Sequence, residues 1–351
     1  MFNIQLLLKE TFTRSASDLH IVEGYYPAVR VNNRILYLRE FGIVMKEDTD
    51  TLSRVLLSQT QQQLFAENKE MDFSYPFEDF RFRVNLYQTK GSTAASFRLI
   101  PAIIKTIQEL NLPEIINTFT SYKQGLILFT GPTGEGKSTS LAAIINDFNT
   151  KESKHIITIE DPIEFVYPKS RSVVSQREIG HDTLSWTSGL KSVLREDPDV
   201  VLVGEMRDFD TIQSVLTVAE TGHLVFSTLH TGSATEAINR IIDVFPAHQQ
   251  NQVKSSLANS LIAVIAQRLL PSSDDNSRVP AIEILLNGSS VSPLIRDGKV
   301  FQLDNVIETS EQSGMILFEK YLEKLYSAGK ITKQTAYAYA IRKNIITHLI
   351  P

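Results

Sequence analysis

Short apolar runs alternate with helical patterns through the middle of the chain. Four runs are short enough to be buried strands: 125–130, 156–159, 199–204 and 223–229. Apolar residues at helical spacing predict helices over 210–220, 235–243 and 249–269, and a further strand is predicted over 281–286. Strands that alternate with helices are typical of a mainly parallel sheet, so residues 124–290 are predicted to form an α/β domain.

The first hundred residues follow a different pattern, in which polar and apolar positions alternate. Extended segments are predicted over 17–22, 28–38, 72–75, 80–87 and 94–100, with helices over 3–12 and 48–65. Residues 1–100 are therefore predicted to form a small α+β domain. Residues 101–123, with Pro101 and Pro113, are predicted to be a hinge, and 291–351 a mainly helical region with helices over 315–327 and 334–348.

A glycine-rich segment follows the first central strand. Residues 131–138 read GPTGEGKS and match the phosphate-loop pattern G-x-x-x-x-G-K-[ST], with helical spacing after them. Glycines let the backbone curl so that successive N–H groups face phosphate oxygens. Lys137 is expected to reach the β- and γ-phosphates of ATP, and the Ser138 hydroxyl to coordinate Mg²⁺. The predicted nucleotide-binding residues are Gly131, Pro132, Thr133, Gly134, Glu135, Gly136, Lys137, Ser138 and Thr139.

Acidic residues follow two of the predicted strands. Glu160, Asp161 and Glu164 come after 156–159, and Glu205 comes after 199–204. Most acidic clusters are solvated turns, because charged side chains are mostly exposed. In an open parallel sheet, however, the ligand binds at the carboxyl ends of the strands. We therefore expect these carboxylates to polarise a water molecule or to serve Mg²⁺.

Two histidines flank the strand predicted over 223–229. His223 begins this run and His230 follows it. A lone histidine is more often structural, but one beside a γ-phosphate can donate a hydrogen bond to it. Their odd separation places the two side chains on opposite faces of a regular strand. At most one of them is expected to touch the same nucleotide.

Arginines alternate with apolar residues in residues 80–86, FRFRVNL. Arg81 and Arg83 occupy the polar face there, and Arg98 has the same place in 94–100. The ordinary interpretation is that they are exposed strand residues. The alternative is that they supply positive charge to a nucleotide held by a neighbouring subunit, as arginine fingers do, which requires a ring.

Composition limits the class of protein. The 351 residues are 42% hydrophobic and 21% charged, contain no cysteine and carry a net charge of −5. Residues 1–100 hold 12 basic and 12 acidic side chains, so no bulk basic field predicts nucleic-acid binding. Neither a secretory signal nor a membrane-spanning run is predicted, and a cytoplasmic location is expected.

Several motifs together resemble those of the PilT-type, type IV pilus retraction ATPases of the secretion-ATPase superfamily. They are GPTGEGKSTS, ITIEDPIEFVYP, SQREIG, LKSVLREDPDVVLVGEMRD, AETGHLVFSTLHT and QRLLP, preceded by DLHIVEGYYPAVRVNNRI and RFRVNLYQ. The resemblance covers roughly residues 1–271 and implies a RecA-like P-loop core after a PAS-like N-terminal domain. It also implies a homohexamer that acts on an inner-membrane platform protein of the pilus machinery. Such a motor lies at the inner face of the cytoplasmic membrane and associates with it through the platform only.

The resemblance implies residue roles by position. Glu164 matches the acidic-box catalytic glutamate, and Glu205 matches the Walker B glutamate that works with Mg²⁺ and water. His230 matches the histidine near the γ-phosphate, and His223 matches the other member of the histidine box. The metal site is thus expected at Ser138 and Glu205. The arginines carried to the adjacent subunit's nucleotide correspond to Arg81, Arg83 and Arg98.

Features that separate the branches of the superfamily favour retraction. Extension and secretion members, of PilB and GspE type, usually carry extra N-terminal domains and a four-cysteine zinc site, whereas this chain has no cysteine. Two positions depart from the retraction pattern. Glu135 stands where serine is common, so its carboxylate is expected to point away from the phosphates. Residues 291–300, VSPLIRDGKV, match only the second half of the motif A-I-R-N-L-I-R-E-G-K.

The expected function is therefore an ATP-hydrolysing hexameric motor for type IV pilus retraction, pilin disassembly and twitching motility. The alternatives are a pilus-assembly or type II secretion ATPase, and a PilU-like accessory ring subunit with little turnover of its own. A nucleic-acid translocase on the same core is disfavoured by the charge balance.

Overall fold

Two compact units make up the chain. The computed structural model describes residues 2–31, 34–78, 80–100, 103–274 and 277–350. One unit comprises residues 1–103 together with 161–166, and the other comprises 104–160 and 167–351. Pro101 of the predicted hinge lies outside the described residues.

An antiparallel sheet forms the centre of the first unit. Its strands in the described part are β1 Asp18–Ile21, β2 Ala28–Val31, β3 Arg34–Tyr37, β4 Glu70–Phe77, β5 Phe80–Thr89 and β6 Ser92–Ile100, in the order β3-β2-β1-β6-β5-β4. The accompanying helices are α1 Ile4–Thr13, α2 Lys46–Leu56 and α3 Gln59–Asn68. Phe82, Val84 and Leu86 of β5 are fully buried in the core of this unit. Because side chains alternate across a strand, Arg81 and Arg83 lie on the opposite face.

A mainly parallel sheet forms the centre of the second unit. Its strands in the described part are β7 Gly125–Thr130, β8 His155–Glu160, β9 Val173–Glu178, β10 Val200–Val203, β11 Leu224–Leu229, β12 Leu261–Pro271 and β13 Arg278–Leu286. They lie in the order β13-β12-β7-β11-β10-β8-β9, and only β12 and β13 pair in antiparallel fashion. This architecture confirms the predicted fold class, an α/β core with a mainly parallel sheet preceded by a smaller α+β domain.

Helices pack on both faces of this sheet, which explains why every residue of β7 and β11 is buried. Phe148 packs against the Phe226 ring of β11, whereas Val225 on the other face joins a core with Ile212. The helices of the unit are α4 Lys137–Lys151, α5 Trp186–Val193, α6 Phe209–Glu220, α7 Ala234–Asp243, α8 Gln250–Ser260, α9 Ser292–Arg296, α10 Leu303–Thr309, α11 Phe318–Ser327, α12 Lys333–Tyr339 and α13 Lys343–Leu349. No helix in the described part of the chain combines the length and apolar character needed to cross a bilayer.

Some predicted helices are wrong in extent. Residues 48–65 are split between α2 and α3, because the Ser58 hydroxyl accepts from the Gln61 N–H and the Gln61 side chain accepts from the Ser58 N–H, which caps a new helix. Residues 249–269 are helical only as far as Ser260, and β12 follows. That apolar run is a strand because β7 and β13 pair with it on its two sides. The predicted helix 334–348 is likewise interrupted between α12 and α13, and β9 was not predicted.

Candidate nucleotide site

The phosphate loop joins β7 to α4 in the second unit. Gly131, Gly134 and Gly136 have φ angles of +146°, +83° and +79°, which residues with a Cβ rarely adopt. The Lys137 side chain is buried and turns back over the loop. Its Nζ donates to the carbonyl oxygens of Gly131 at 2.6 Å and Pro132 at 2.9 Å. The ammonium group therefore lies at the loop itself, where phosphate oxygens can replace the two carbonyls.

Glu205 and His230 meet at the edge of the sheet that carries the loop. Glu205 lies two residues after β10, and His230 directly follows β11. The Oε2 of Glu205 lies 2.9 Å from Nε2 of His230, and its Oε1 contacts the Arg207 guanidinium. Since β7, β11 and β10 are consecutive parallel strands, residues after their carboxyl ends share one edge. Arg207 had not been expected there.

Two threonines connect the loop strand to the histidine segment. The Thr130 hydroxyl donates to the Thr231 carbonyl at 2.7 Å and accepts from the Thr231 N–H at 3.1 Å, and both groups are buried. Buried hydrogen bonds of this kind fix the relative position of the two strand ends. The sequence does not indicate this pair, because threonine at a strand end is too common to signal a pairing across 101 positions.

Glu160, at the end of β8, is held inside the second unit. It is 8% exposed, and its Oε1 accepts from the Thr158 hydroxyl at 2.6 Å and from Nε2 of Gln176 at 3.3 Å. Tyr167 is also buried, and burial, with a smaller contribution from the negative charge of Glu160, raises the pKa of its phenol well above the ordinary value. Burial therefore keeps the Tyr167 phenol protonated near Glu160.

Glu164 belongs to the first unit, where it faces one of the predicted arginine fingers. Its Oε1 lies 3.8 Å from Nη1 of Arg83. The Arg83 Nε also donates to Oδ2 of Asp72 at 3.0 Å, and Nη2 contacts the same carboxylate. The hydrogen bond to Asp72 raises the pKa of Arg83. The Arg83 guanidinium thus lies between the carboxylates of Asp72 and Glu164. The catalytic role of Glu164 and the finger role of Arg83 stay predictions.

The three predicted finger arginines lie on one face of the first sheet. Arg83 and Arg98 are direct partners in the β5–β6 register, and Arg81 is two residues along the same strand as Arg83. The Arg98 side chain is largely exposed, and its Nε donates to Asp18 at 2.9 Å. Arg81 is half-buried. The face therefore presents three guanidinium groups, two of them already paired with aspartates of the same unit.

His223 is not brought to the edge that carries the loop. Its carbonyl accepts from the Gly125 N–H, at the start of β7, and its Nδ1 lies 3.1 Å from the Val218 carbonyl. The whole of β11 separates it from His230, which is roughly 20 Å at the usual rise per residue. His223 thus lies at the opposite edge of the sheet from His230, as parallel strands require of their two ends, and its catalytic role stays a prediction.

The Glu135 side chain is directed at β12. Its Oε2 accepts from the Leu269 N–H at 2.5 Å. Its backbone N–H remains part of the phosphate loop, whereas the carboxylate faces a strand. Gln267, the first residue of the QRLLP motif, contacts the same segment through its side-chain amide, a contact that the motif alone does not predict.

These residues fit a nucleoside triphosphate with Mg²⁺. The loop supplies backbone N–H groups, the start of α4 and the Lys137 ammonium, all of which attract phosphate. Mg²⁺ commonly binds through one or two protein groups together with phosphates, and Ser138 and Glu205 stay the predicted ligands. Within the described ranges, no group of three or more histidine and acidic side chains is arranged to hold a metal.

Comparison with known proteins gives consistent matches along nearly the whole chain. The family described as "Type II/IV secretion system protein" matches residues 3–314. A "Twitching motility protein" of Neisseria gonorrhoeae is 42% identical, over 95% of this chain and 90% of its own length. The "Type IV pilus ATPase PilU" of Pseudomonas aeruginosa is 39% identical, over 98% of this chain and 90% of its own. The solved structure of "the Pilus Retraction Motor PilT and Bound ADP" is 41% identical, with a TM-score of 0.92, and the match covers 99% of this chain and 100% of that one.

Proposed function

This chain belongs to the type II/IV secretion system protein family, and on that premise we propose that it is an ATP-hydrolysing motor that powers retraction of a type IV pilus. The observation that carries the proposal is the grouping at one sheet edge of a phosphate loop with Lys137 and of the Glu205–His230 pair. Nucleotide binding alone needs only the loop. A carboxylate and a histidine beside it add the groups that hydrolysis requires.

Each residue has a distinct part in the proposed reaction. The loop N–H groups and Lys137 bind the β- and γ-phosphates, and His230 donates a hydrogen bond to the γ-phosphate. Ser138 and Glu205 would hold Mg²⁺, which would supply positive charge to the phosphate oxygens. Glu164 accepts a proton from the water that attacks the γ-phosphorus, the bond to the β-phosphate oxygen breaks, and ADP and phosphate leave.

The proposed assembly is a homohexamer in which Arg81, Arg83 and Arg98 act on the neighbouring subunit's nucleotide. Positive charge from a second subunit makes turnover depend on the ring, which is how an arginine finger couples chemistry to movement. The proposed partners are the pilus machinery and its inner-membrane platform protein, at the cytoplasmic face of the membrane. Nucleic acid is not among them.

Turnover and assembly of the purified protein test this proposal. Wild-type protein should hydrolyse ATP in the presence of Mg²⁺ and form hexamers when ATP is added, as seen by light scattering. Glu164→Gln should lower kcat by about 10²- to 10⁴-fold, the range for a lost general base. Glu67→Gln, an exposed carboxylate of the same unit, is the matched control. A protein that stays monomeric with ATP, or a Glu164→Gln variant with wild-type turnover, would refute the proposal.

An accessory ring subunit is the second candidate, favoured by the incomplete retraction motif at residues 291–300. In the structure the surviving half of that motif begins within α9, and Arg296 contacts the Asn259 side chain at 3.0 Å. Deletion of the coding sequence in the host separates the possibilities. Surplus pili that do not retract indicate the motor, bald cells indicate an assembly or secretion ATPase, and normal retraction with reduced force indicates the accessory subunit.

A further inference from the structure

The Gln267 side chain ties the phosphate loop to β12. Its Nε2 donates to the Glu135 carbonyl at 2.8 Å, and its Oε1 accepts from the Ser140 hydroxyl at 2.8 Å. Gln267 is 2% exposed, so water hardly competes for either bond. The side-chain amide supplies both the donor that the Glu135 carbonyl needs and the acceptor that the Ser140 hydroxyl uses.

The Glu135 carboxylate makes a second contact with β12, because it accepts a hydrogen bond from the Leu269 N–H. The pairing of β12 with β7 ends at Ala266 and Thr130, three residues before Leu269. Beyond that point β7 no longer supplies an acceptor for β12, and the carboxylate takes its place. A partly buried N–H that loses such an acceptor costs free energy, so this contact has an energetic role.

The loop can approach β12 because two of its residues are glycines. A Cβ at Gly131 would lie 2.3 Å from the Gln267 carbonyl oxygen, and one at Gly136 would lie 3.0 Å from the Gln267 Nε2. Both glycines thus lie against the same residue of β12, Gln267. The side of the loop that faces β12 is held by these contacts, and phosphate would bind on the side that faces away from β12.

We propose that Glu135 and Gln267 are positioning residues of the phosphate loop. They act through its backbone: by fixing the carbonyl of residue 135 and the turn that follows, they hold the loop N–H groups in the arrangement that binds phosphate. This inference rests on the proposed ATPase function. Phosphate contacts of this kind exist before and during hydrolysis, so their loss raises KM for ATP more than it lowers kcat.

Steady-state kinetics of four variants of the full-length protein test the proposal. Glu135→Ala should raise KM for ATP by about five- to twentyfold and leave kcat within about twofold, because it loses one hydrogen bond that acts on phosphate only through the loop, while the Gln267 contact remains. Glu135→Gln keeps an acceptor oxygen and should have a KM no more than about twofold above wild type. Gln267→Glu loses the donor to the Glu135 carbonyl and should raise KM as Glu135→Ala does. Glu152→Ala, at the exposed far end of α4, is the matched control.

The outcomes separate this inference from the proposed function. If wild-type protein neither binds nor hydrolyses ATP, the proposed function fails first. If wild type is active and Glu135→Ala has an unchanged KM, or a lowered kcat at unchanged KM, the positioning role is wrong. Because Gln267→Glu buries a charge, its hexamer content and thermal transition are measured too. If Gln267→Glu does not fold, the Glu135→Ala and Glu135→Gln pair alone decides, since residue 135 is only half-buried.

Discussion

The Nε2 of His230 lies 2.9 Å from Oε2 of Glu205, although 25 residues separate them in the sequence. Both side chains follow adjacent parallel strands, and the fold rather than the local sequence joins them. In the proposed site, Glu205 is a ligand of Mg²⁺ and His230 donates a hydrogen bond to the γ-phosphate, so the contact between them connects the metal site to the phosphate site. A change at either residue should therefore affect hydrolysis while the phosphate loop remains intact.

Replacement of Glu205 by glutamine should separate nucleotide binding from hydrolysis. The amide keeps the size of the side chain but loses the charge that serves Mg²⁺ and water, so kcat should fall by about 10²- to 10⁴-fold. ADP affinity, measured by calorimetry, should change by less than about threefold because the loop is unaltered. Glu308→Gln, at an exposed carboxylate, is the control. Hydrolysis at the wild-type rate would exclude Glu205 from the chemistry.

Replacement of Lys137 by alanine should weaken nucleotide binding itself. The ammonium is buried at the loop and is the group expected to pair with the β- and γ-phosphates. Charged hydrogen bonds of this kind correspond to an affinity loss of roughly 10- to 100-fold, which calorimetry with ATP measures directly. Lys151→Ala, at the exposed end of the same helix, should bind ATP like wild type. Equal affinity of the two variants would count against the loop as the ATP site.

Mixed rings should reveal whether the arginines act between subunits. Lys137→Ala binds ATP weakly and Arg83→Ala lacks a finger, so each alone should have little activity at an ATP concentration near the wild-type KM. When the two are mixed in equal amounts, random assembly places an intact loop beside an intact finger at about one site in four, and roughly a quarter of wild-type activity should return. Mixtures that remain inactive would indicate that Arg83 acts within its own subunit or has a structural role.

Loss of the Arg342 side chain should destabilise the second unit strongly. Its guanidinium lies 2.9 Å from Glu283, 2.9 Å from Asp304 and 3.0 Å from Glu319, and both glutamates are fully buried. Arg342→Met leaves two buried carboxylates without a positively charged partner, although backbone N–H groups still donate to both, and this costs about 3–5 kcal/mol of unfolding free energy. Urea denaturation followed by the fluorescence of Trp186, the single tryptophan, measures the loss.

Two further variants provide the comparisons needed to interpret the stability of Arg342→Met. Lys330→Met is the control, because Lys330 is exposed and should change stability by less than about 0.5 kcal/mol. The double variant Glu283→Gln with Arg342→Met should recover part of the lost stability, since it removes one of the buried negative charges that Arg342 had neutralised. An Arg342→Met protein as stable as the control would show that the cluster contributes little.

Alkaline stability should depend on Tyr167. Burial raises the pKa of its phenol in the folded protein, whereas the unfolded phenol ionises near pH 10. Above about pH 10 the unfolded chain therefore loses a proton that the folded chain keeps, and stability falls by up to about 1.4 kcal/mol per pH unit. Tyr167→Phe should show a shallower decline between about pH 10 and 11. Tyr326→Phe, an exposed site, is the control, and an unchanged slope in Tyr167→Phe would contradict the assignment.

Features that depend on neighbouring residues could be predicted from local patterns in the sequence. The loop at 131–138 is recognised by its glycines and lysine at fixed spacing, and short apolar runs predict the central strands. Because parallel strands carry ligands at their carboxyl ends, Glu205 and His230 were also predictable as members of one edge.

Features that depend on distant partners follow from the packing of the folded chain. Residues 261–271 have an apolar pattern that suits helix or strand, and they form a strand because β7 and β13 pair with both sides. The direction of the Glu135 carboxylate follows from the Leu269 N–H, 134 residues away. Arg342 meets acidic residues from three other elements. Such contacts are set by the packing of whole elements, which no local spacing in the sequence encodes.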